Sequence, residues 1–305
     1  MSKGISVVVP TYKRPDLLFR CLSSIALQTF KDYEIIVVDN EPGENDIGLQ
    51  IGRLKNEKIR YVQEMSPGVS AARNAGINVA RSELIVFVDD DDEIDPCMLQ
   101  SMYEFMTHPE HSDISFSWTG VVKLFEKNNS LIEKREFLVS DSDLLNMSFI
   151  VKIGTGCGLC VRRNALLEVG CFDSEYKLSE DRDLLIKLIA AGKKYKPLNE
   201  FLYRRYYHCG ERLSQSLHAL EEAEHDYKLY YEHLSFIMKH PVLRLRLLDL
   251  RARHYFEGGE LDKAVEIAFH AWQIQPYRVR SVRRLISYWL KAVLMKRPSI
   301  KTDVV

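Results

Sequence analysis

The sequence predicts a doubly wound α/β domain followed by an all-helical extension, and three observations carry that expectation. Strand-like runs at Ile5–Val9, Glu34–Val38, Ile59–Val62 and Leu84–Val88 alternate with segments of helical periodicity, the pattern of a largely parallel sheet covered by helices. The run Leu84–Val88 has no polar alternation and stops in four consecutive carboxylates, Asp89–Asp92, as a strand buried on both faces would where it leaves the sheet. From Leu213 onward the pattern is helical, with no strand signal.

In chain order, Ile5–Val9 is the first strand and ends at Pro10-Thr11-Tyr12. Pro15 and Asp16 open an amphipathic helix reaching about Thr29, with Leu17, Leu18, Cys21, Leu22 and Ile25 on its apolar face. Glu34–Val38 is a second buried strand ending at Asp39-Asn40, followed by a polar turn, a short helix and the strand Ile59–Val62. Pro67-Gly68 leads through Ser70–Gly76 into another helix before Leu84–Val88. A helix from Asp95-Pro96 to about Met106 precedes strands between Ile114 and Phe125, and residues 126–147 hold charges and a Leu/Met helix. Gly154–Val161 reads as a glycine-dense strand, implying close approach of its backbone to another group. After the short helix Asn164–Val169, Ser179 stands as an N-cap for a helix whose first turn, Glu180-Asp181-Arg182-Asp183, is rich in the acids that suit a helix N-terminus.

Composition narrows the function. With 46% hydrophobic and 28% charged residues, the chain has the makeup of an ordinary soluble protein, and a net charge of −1 offers no overall attraction to nucleic acid or an anionic membrane, although Arg and Lys accumulate after Glu266 with no acidic residue until Asp303. Six cysteines in 305 residues do not form a disulfide framework, and Cys157-x-x-Cys160 lacks a second pair at zinc spacing, so both read as small buried residues. Met1-Ser2-Lys3-Gly4 runs straight into a strand without the layout of a signal peptide, and no apolar stretch approaches the roughly 20 residues that span a bilayer. The expected location is cytoplasmic. The first strand–helix turn carries no G-x-G-x-x-G, which argues against a dinucleotide-binding dehydrogenase.

In open α/β sheets, ligands bind beyond the carboxyl ends of the strands. Asp89–Asp92 lie at such an end, where adjacent carboxylates repel unless a cation or a polar network absorbs their charge. An all-oxygen set of this kind suits Mg²⁺ or Mn²⁺ shared with phosphates, and the structural alternative is a solvated acidic turn. Asp39 can accept hydrogen bonds from a base or ribose, or cap a turn. The small residues of Ser70–Gly76 would let phosphates approach a first helical turn, where Arg73 can pair bidentately, or else remain a surface arginine. Asp181 lies on the side of the stripe Leu184, Leu185, Leu188 and Ile189, and so points inward as a general base must. Asp183 is turned away and can pair with Lys187.

With these pieces placed, the chain resembles a family 2 glycosyltransferase of the GT-A fold across roughly residues 4–208. The resemblance rests on Val7–Arg14, Val37–Asn40, Gly68–Gly76, Phe87–Pro96, Gly170–Asp173 and Glu180-Asp181, six fragments in order and spacing. It implies a GT-A doubly wound mixed sheet over residues 1–210, with a nucleotide-sugar half to about residue 96 and an acceptor half beyond, to which 126–147 falls by elimination. It implies inverting transfer from a nucleoside-diphosphate sugar, a uridine diphosphate sugar by family weight, to the hydroxyl of a glycan or lipid-linked glycan in cell-surface polysaccharide or glycoconjugate synthesis. Pro10, Thr11, Tyr12, Arg14, Asp39, Arg73, Asp89 and Asp90 fall where the family holds the donor. Asp89 and Asp91 match its D-x-D motif for Mn²⁺ or Mg²⁺, with His208 as a further metal or diphosphate contact, and Asp181 matches its catalytic base with Glu180 beside it. Departures are Lys13, where Asn is common, and Asn40-Glu41, where an Asp-Gly-Ser type of turn is usual. The alternatives are an inactive sugar-nucleotide or glycan-binding protein of the same fold, and a nucleotidyltransferase. The latter would need a glycine-rich loop that Pro10–Arg14 does not supply.

In the extension, residues 211–305, Ala252, Tyr255, Gly258-Gly259, Ala264, Ala268 and Pro276 resemble one tetratricopeptide-like hairpin, which cannot bury its own face and is expected to pack on the preceding domain. The last helix sets Val282, Leu285, Ile286, Trp289, Leu290, Val293 and Leu294 at steps of three and four beside Arg283, Arg284, Lys291, Lys296 and Arg297. This basic amphipathic pattern leaves a membrane surface, the protein's own core and a second copy in a homo-oligomer as open partners.

Overall fold

The computed structural model describes residues 2–41, 43, 46–127, 130–207 and 219–295. Its elements run β1 (Ser2–Thr11), α1 (Pro15–Ala26), β2 (Tyr33–Asp39), α2 (Ile47–Leu54), β3 (Ile59–Gln63), α3 (Val69–Val79) and β4 (Ser82–Phe87). Then come β5 (Glu93–Ile94), α4 (Met98–Thr107), β6 (Ile114–Ser117), β7 (Thr119–Lys127), β8 (Ser130–Glu136), α5 (Asp141–Leu145), β9 (Cys160–Arg162) and α6 (Arg163–Glu168). The first unit closes with α7 (Glu180–Ala190), β10 (Lys194–Tyr195) and β11 (Leu198–Tyr207). The helices α8 (Ala219–Glu232), α9 (Leu234–Ile237), α10 (Pro241–Glu257), α11 (Leu261–Ile274) and α12 (Val279–Met295) follow.

The main sheet has the order β10-β6-β9-β4-β1-β2-β3, parallel from β4 through β3 and antiparallel where β9 enters between β4 and β6. The expected mixed, doubly wound sheet is therefore present. Ile5, Val7–Val9, Ile35–Val38 and Ile85–Phe87 are fully buried, so the central strands face helices on both sides. A second sheet, β5-β11-β7-β8, joins the acidic turn after β4 to the strands of the second half. Close packing explains one glycine in α3: a Cβ on Gly76 would lie 2.5 Å from Val8 Cγ1.

Several local expectations change. Residues 126–147 contain β8: Ser130–Glu136 pairs with β7, and Ile132–Arg135 are exposed without an apolar alternation. Lys123–Glu136 and Arg204–Glu133 ion pairs, at 2.8 and 2.9 Å, tie it down instead. The Leu/Met helix shortens to the five residues of α5. Of the glycine-dense stretch only Cys160–Arg162 is strand; Thr155–Cys157 is a 3₁₀ turn, and Gly158 at φ +66° makes the left-handed bend that ends it. Ser179 does not cap α7 with its side chain: at φ +68° its hydroxyl accepts from Arg182. Asp183 pairs with Lys187 as expected, at 3.1 Å, but is buried rather than exposed. Cys157 and Cys160 are buried thiols pushed up to about 12 by desolvation.

The chain divides into two units, Met1–Asp141 with Lys152–Gly210, and Ser142–Val151 with Glu211–Val305. Ser142–Val151, expected in the acceptor half, thus groups with the helices, its 3₁₀ turn at Ser148–Val151 packing on α10. Within that second unit, α10 and α11 form the expected hairpin, with Ala252, Tyr255, Ala264 and Ala268 buried. Among the described residues no helix is long and apolar enough to cross a membrane.

Candidate active site

The carboxyl ends of β1, β2 and β4 lie side by side, and Thr11 is in register with Asp39. At the β1 end, Thr11 Oγ1 donates to Asp90 Oδ2 at 2.7 Å, and Arg14 Nη1 stands 3.9 Å from Asp90 and 3.6 Å from Asp91. Burial pushes Asp90 up to about 7 against the Thr11 hydrogen bond, with the neighbouring carboxylates adding to the rise. Asp92 is pushed well up by the same burial and accepts from the Tyr206 N–H at 3.0 Å. Arg20 of α1 donates to the Asp91 carbonyl, pairs with Glu93 at 3.3 Å and covers the Tyr206 ring at 4.0 Å, which clasps the acidic turn to β11. Pro10 lies beside Val38 in the sheet, Tyr12 is exposed, and Lys13 pairs with Glu41 at 3.1 Å.

At the β2 end, Asp39 is buried and accepts from Tyr61 Oη at 2.7 Å and from the Glu41 N–H at 3.1 Å. Asn40 has a structural task. Its amide donates to the Glu64 and Ser66 carbonyls at 3.0 and 2.7 Å and accepts from the Gly68 N–H at 2.8 Å, which holds the loop entering α3.

Arg73 does not reach outward. It is 4% exposed, and its Nη1 donates to Glu180 at 2.8 Å while Nη2 donates to Thr155 Oγ1 at 2.6 Å and Asp89 Oδ1 at 3.1 Å. Asp181 Oδ1 stands 3.5 Å from the same guanidinium. Far from being a surface arginine, Arg73 sits among three carboxylates, which hold it protonated against the cost of burial. Asp181 Oδ2 accepts from the Thr155 N–H at 3.1 Å, while its buried Oδ1 has no hydrogen-bond partner. Burial first, then Glu180, push Asp181 up to about 7, opposed by Arg73. The backbone approach foreseen from the glycines is made to Asp181, for a Cβ on Gly154 would collide with its carboxylate.

The structure thus brings Thr11, Arg14, Asp90 and Asp91 together, and Arg73, Asp89, Glu180 and Asp181 together, with Asp39 on the adjoining strand. His208 lies outside the described residues. Thr155, Tyr61 and Arg20 were missed from sequence, since each acts through partners far away in the chain. Asp89 and Asp91 are hard oxygen donors suited to Mg²⁺ or Mn²⁺. Among the described residues no three His, Cys, Asp or Glu side chains converge as a closed metal cage.

Comparison with known proteins bears on the family and the fold. The model of the family described as glycosyl transferase family 2 matches residues 6–170. An uncharacterized glycosyltransferase of Methanocaldococcus jannaschii is 28% identical over 204 residues, covering 66% of this chain and 69% of the relative. The poly(ribitol-phosphate) beta-N-acetylglucosaminyltransferase TarP of Staphylococcus aureus is 25% identical, covering 66% and 62%. The crystal structure of S. aureus TarS residues 1–349 in complex with UDP-GlcNAc shares the fold at a TM-score of 0.62 and 20% identity, over 93% of this chain and 79% of that one. Matched by the family's model over more than half its length, the chain belongs to glycosyl transferase family 2 and is a glycosyltransferase of the GT-A fold.

Proposed function

We propose that the protein catalyses a metal-dependent, inverting transfer from a uridine diphosphate sugar to the hydroxyl of a glycan or lipid-linked glycan at the cytoplasmic face of the cell membrane, in cell-surface polysaccharide or glycoconjugate synthesis. The observation that carries this reading is the half-buried Asp181 carboxylate in the first turn of α7, whose Oδ1 has no hydrogen bond and lies 3.5 Å from Arg73, and whose affinity for a proton is raised to about 7. A base poised near neutrality can take the acceptor proton as the hydroxyl attacks the anomeric carbon, and a single displacement of this kind inverts the centre. The uridine donor is supported by TarS, whose crystal structures hold UDP-GlcNAc and UDP.

Each group has a task in this reading. Asp39, with Tyr61 fixing one oxygen, accepts from the base or ribose. Arg14 and Thr11 set the acidic turn. Asp89 and Asp91 would hold a divalent cation, which when bound supplies positive charge to the departing diphosphate. Arg73, 3.5 Å from Oδ1, and the Thr155 N–H, which donates to Oδ2, hold the Asp181 carboxylate in place, and Arg73 offsets the charge of the carboxylates around it.

The test is thermal stabilisation by a panel of nucleoside diphosphates and their sugars, with and without Mn²⁺, followed by NMR of the anomer formed on a glycan acceptor. Ligands that bind only the folded state raise the melting temperature. A Mn²⁺-dependent shift selective for the uridine compounds and an inverted product are expected. Binding without transfer to any acceptor would favour the inactive binding protein, and no shift with any nucleotide would refute the donor site.

A further inference from the structure

The last helix divides its apolar residues between two directions. Tyr288 and Ala292 turn inward, with Tyr288 stacked on Phe256 of α10 at 4.2 Å between ring centroids, and Arg284 pairs with the buried Asp249 at 2.6 Å. The opposite side is bare. Val279, Ile286, Trp289, Leu290, Val293 and Leu294 are between 38% and 63% exposed, along a helix of 17 residues, about 25 Å. Beside them Phe269 and Val265 of α11, with Glu266, Leu285, Ile286 and Trp289, line an open groove of about 420 Å³. A contiguous apolar face of this size is the mark of a docking surface rather than of scattered exposed residues.

Charge says what the surface fits. Arg280, Arg283 and Lys291 are exposed on the edge of the apolar stripe, and in the sequence no acidic residue occurs between Glu266 and Asp303, while eight Lys and Arg do. A two-fold dimer through this face would set the patch against itself and bring those cations together. Trp289 in the middle of an apolar stripe edged by Arg and Lys suits the boundary between headgroups and acyl chains of an anionic bilayer. We infer that the α11–α12 face is a membrane-docking surface that lays α12 in the plane of an anionic lipid leaflet. This deepens the proposed setting of the transfer by naming the surface that supplies it. Its test reads binding alone, so donor binding measured on the same preparation separates failure of the docking surface from failure of the enzymatic reading.

The experiment is co-sedimentation of the full chain with phosphatidylglycerol-rich vesicles and with pure phosphatidylcholine vesicles, in low and high salt. Binding to the anionic vesicles that weakens with salt is expected, with little binding to phosphatidylcholine. Trp289→Ser should weaken it about tenfold through lost apolar contact, and Arg283→Gln about fivefold through one lost cation. Both residues are exposed, so melting temperatures should be unchanged. Equal binding to the two lipids, or variants that bind as the parent does, would overturn the inference. So would absence of binding together with a dimer in analytical ultracentrifugation that Trp289→Ser dissolves, since a second copy would then be what covers the face.

Discussion

Replacing Asp181 by Asn should inactivate the enzyme and stabilise it, and the two effects together distinguish a base from a structural carboxylate. The carboxyl is raised from 3.8 to about 7, chiefly by burial. An acid whose folded pKa lies above its unfolded one costs stability as pH rises from about 4 through about 7, because the unfolded chain releases the proton first. At roughly 1.4 kcal/mol per unit, the cost above neutrality has an upper limit of ~4 kcal/mol. The side chain is 23% exposed, so solvent screening lowers the expected figure to ~2 kcal/mol. Asn keeps an oxygen for the Thr155 N–H and carries no charge. Asp181→Asn should therefore melt about 5 °C higher than the parent at pH 8 and at the same temperature near pH 4. Turnover should fall by roughly 10² to 10⁴ with donor affinity intact, and the parent's loss of turnover below about pH 7, following one proton, should vanish from the residual rate. Thermal melts across pH, steady-state kinetics and donor titration check this. A variant that loses stability at pH 8, or keeps its turnover within tenfold, would refute the assignment of Asp181 as a strained base.

Arg73→Met removes the cation shared by Asp89, Glu180 and Asp181 while roughly keeping the volume. Urea unfolding should show a loss of ~3–5 kcal/mol, because breaking a buried pair from one side leaves the other charge uncompensated. Lys at that position should recover only part of the loss, since one ammonium cannot replace the guanidinium fork that reaches Glu180, Thr155 and Asp89. Asp91→Ala should abolish the Mn²⁺ dependence of nucleotide-induced thermal stabilisation while leaving the melting temperature without ligand near that of the parent; unchanged Mn²⁺ dependence would remove Asp91 from the metal site. Gly76→Ala should cost ~1–3 kcal/mol in urea unfolding through overpacking, because the new Cβ meets Val8 at 2.5 Å and Val38 at 3.4 Å.

What could be read from the sequence follows from how local each signal is. Strands β1, β2 and β4 were legible because burial on both faces leaves a continuous apolar run, and the end of that run marks the edge of the sheet where chemistry can occur. β8 was not, because Ile132–Arg135 are exposed and show no apolar alternation, and the strand is defined by its backbone ladder with β7. The active site divides in the same way. Asp89, Asp91 and Asp181 announce themselves, since carboxylates at a strand end or in the first turn of a helix are conspicuous in one dimension. The role of Arg73 is invisible there. Its partners come from the acidic turn after β4, the turn at Thr155 and the start of α7, separated from it by 16, 82 and 107 residues. A small-residue helix carrying an arginine suggests a phosphate in sequence, and only the fold shows that Asp89, Glu180 and Asp181 also surround that arginine. Asn40 teaches the converse. As a departure from the family's turn it put the donor contacts at Asp39 in question, but its three hydrogen bonds to the 64–68 segment fix the entry to α3 and so help place Arg73 itself. A motif position that looks degraded can thus be rebuilt by tertiary contacts, and only the partners of the side chain tell a lost function from a relocated one.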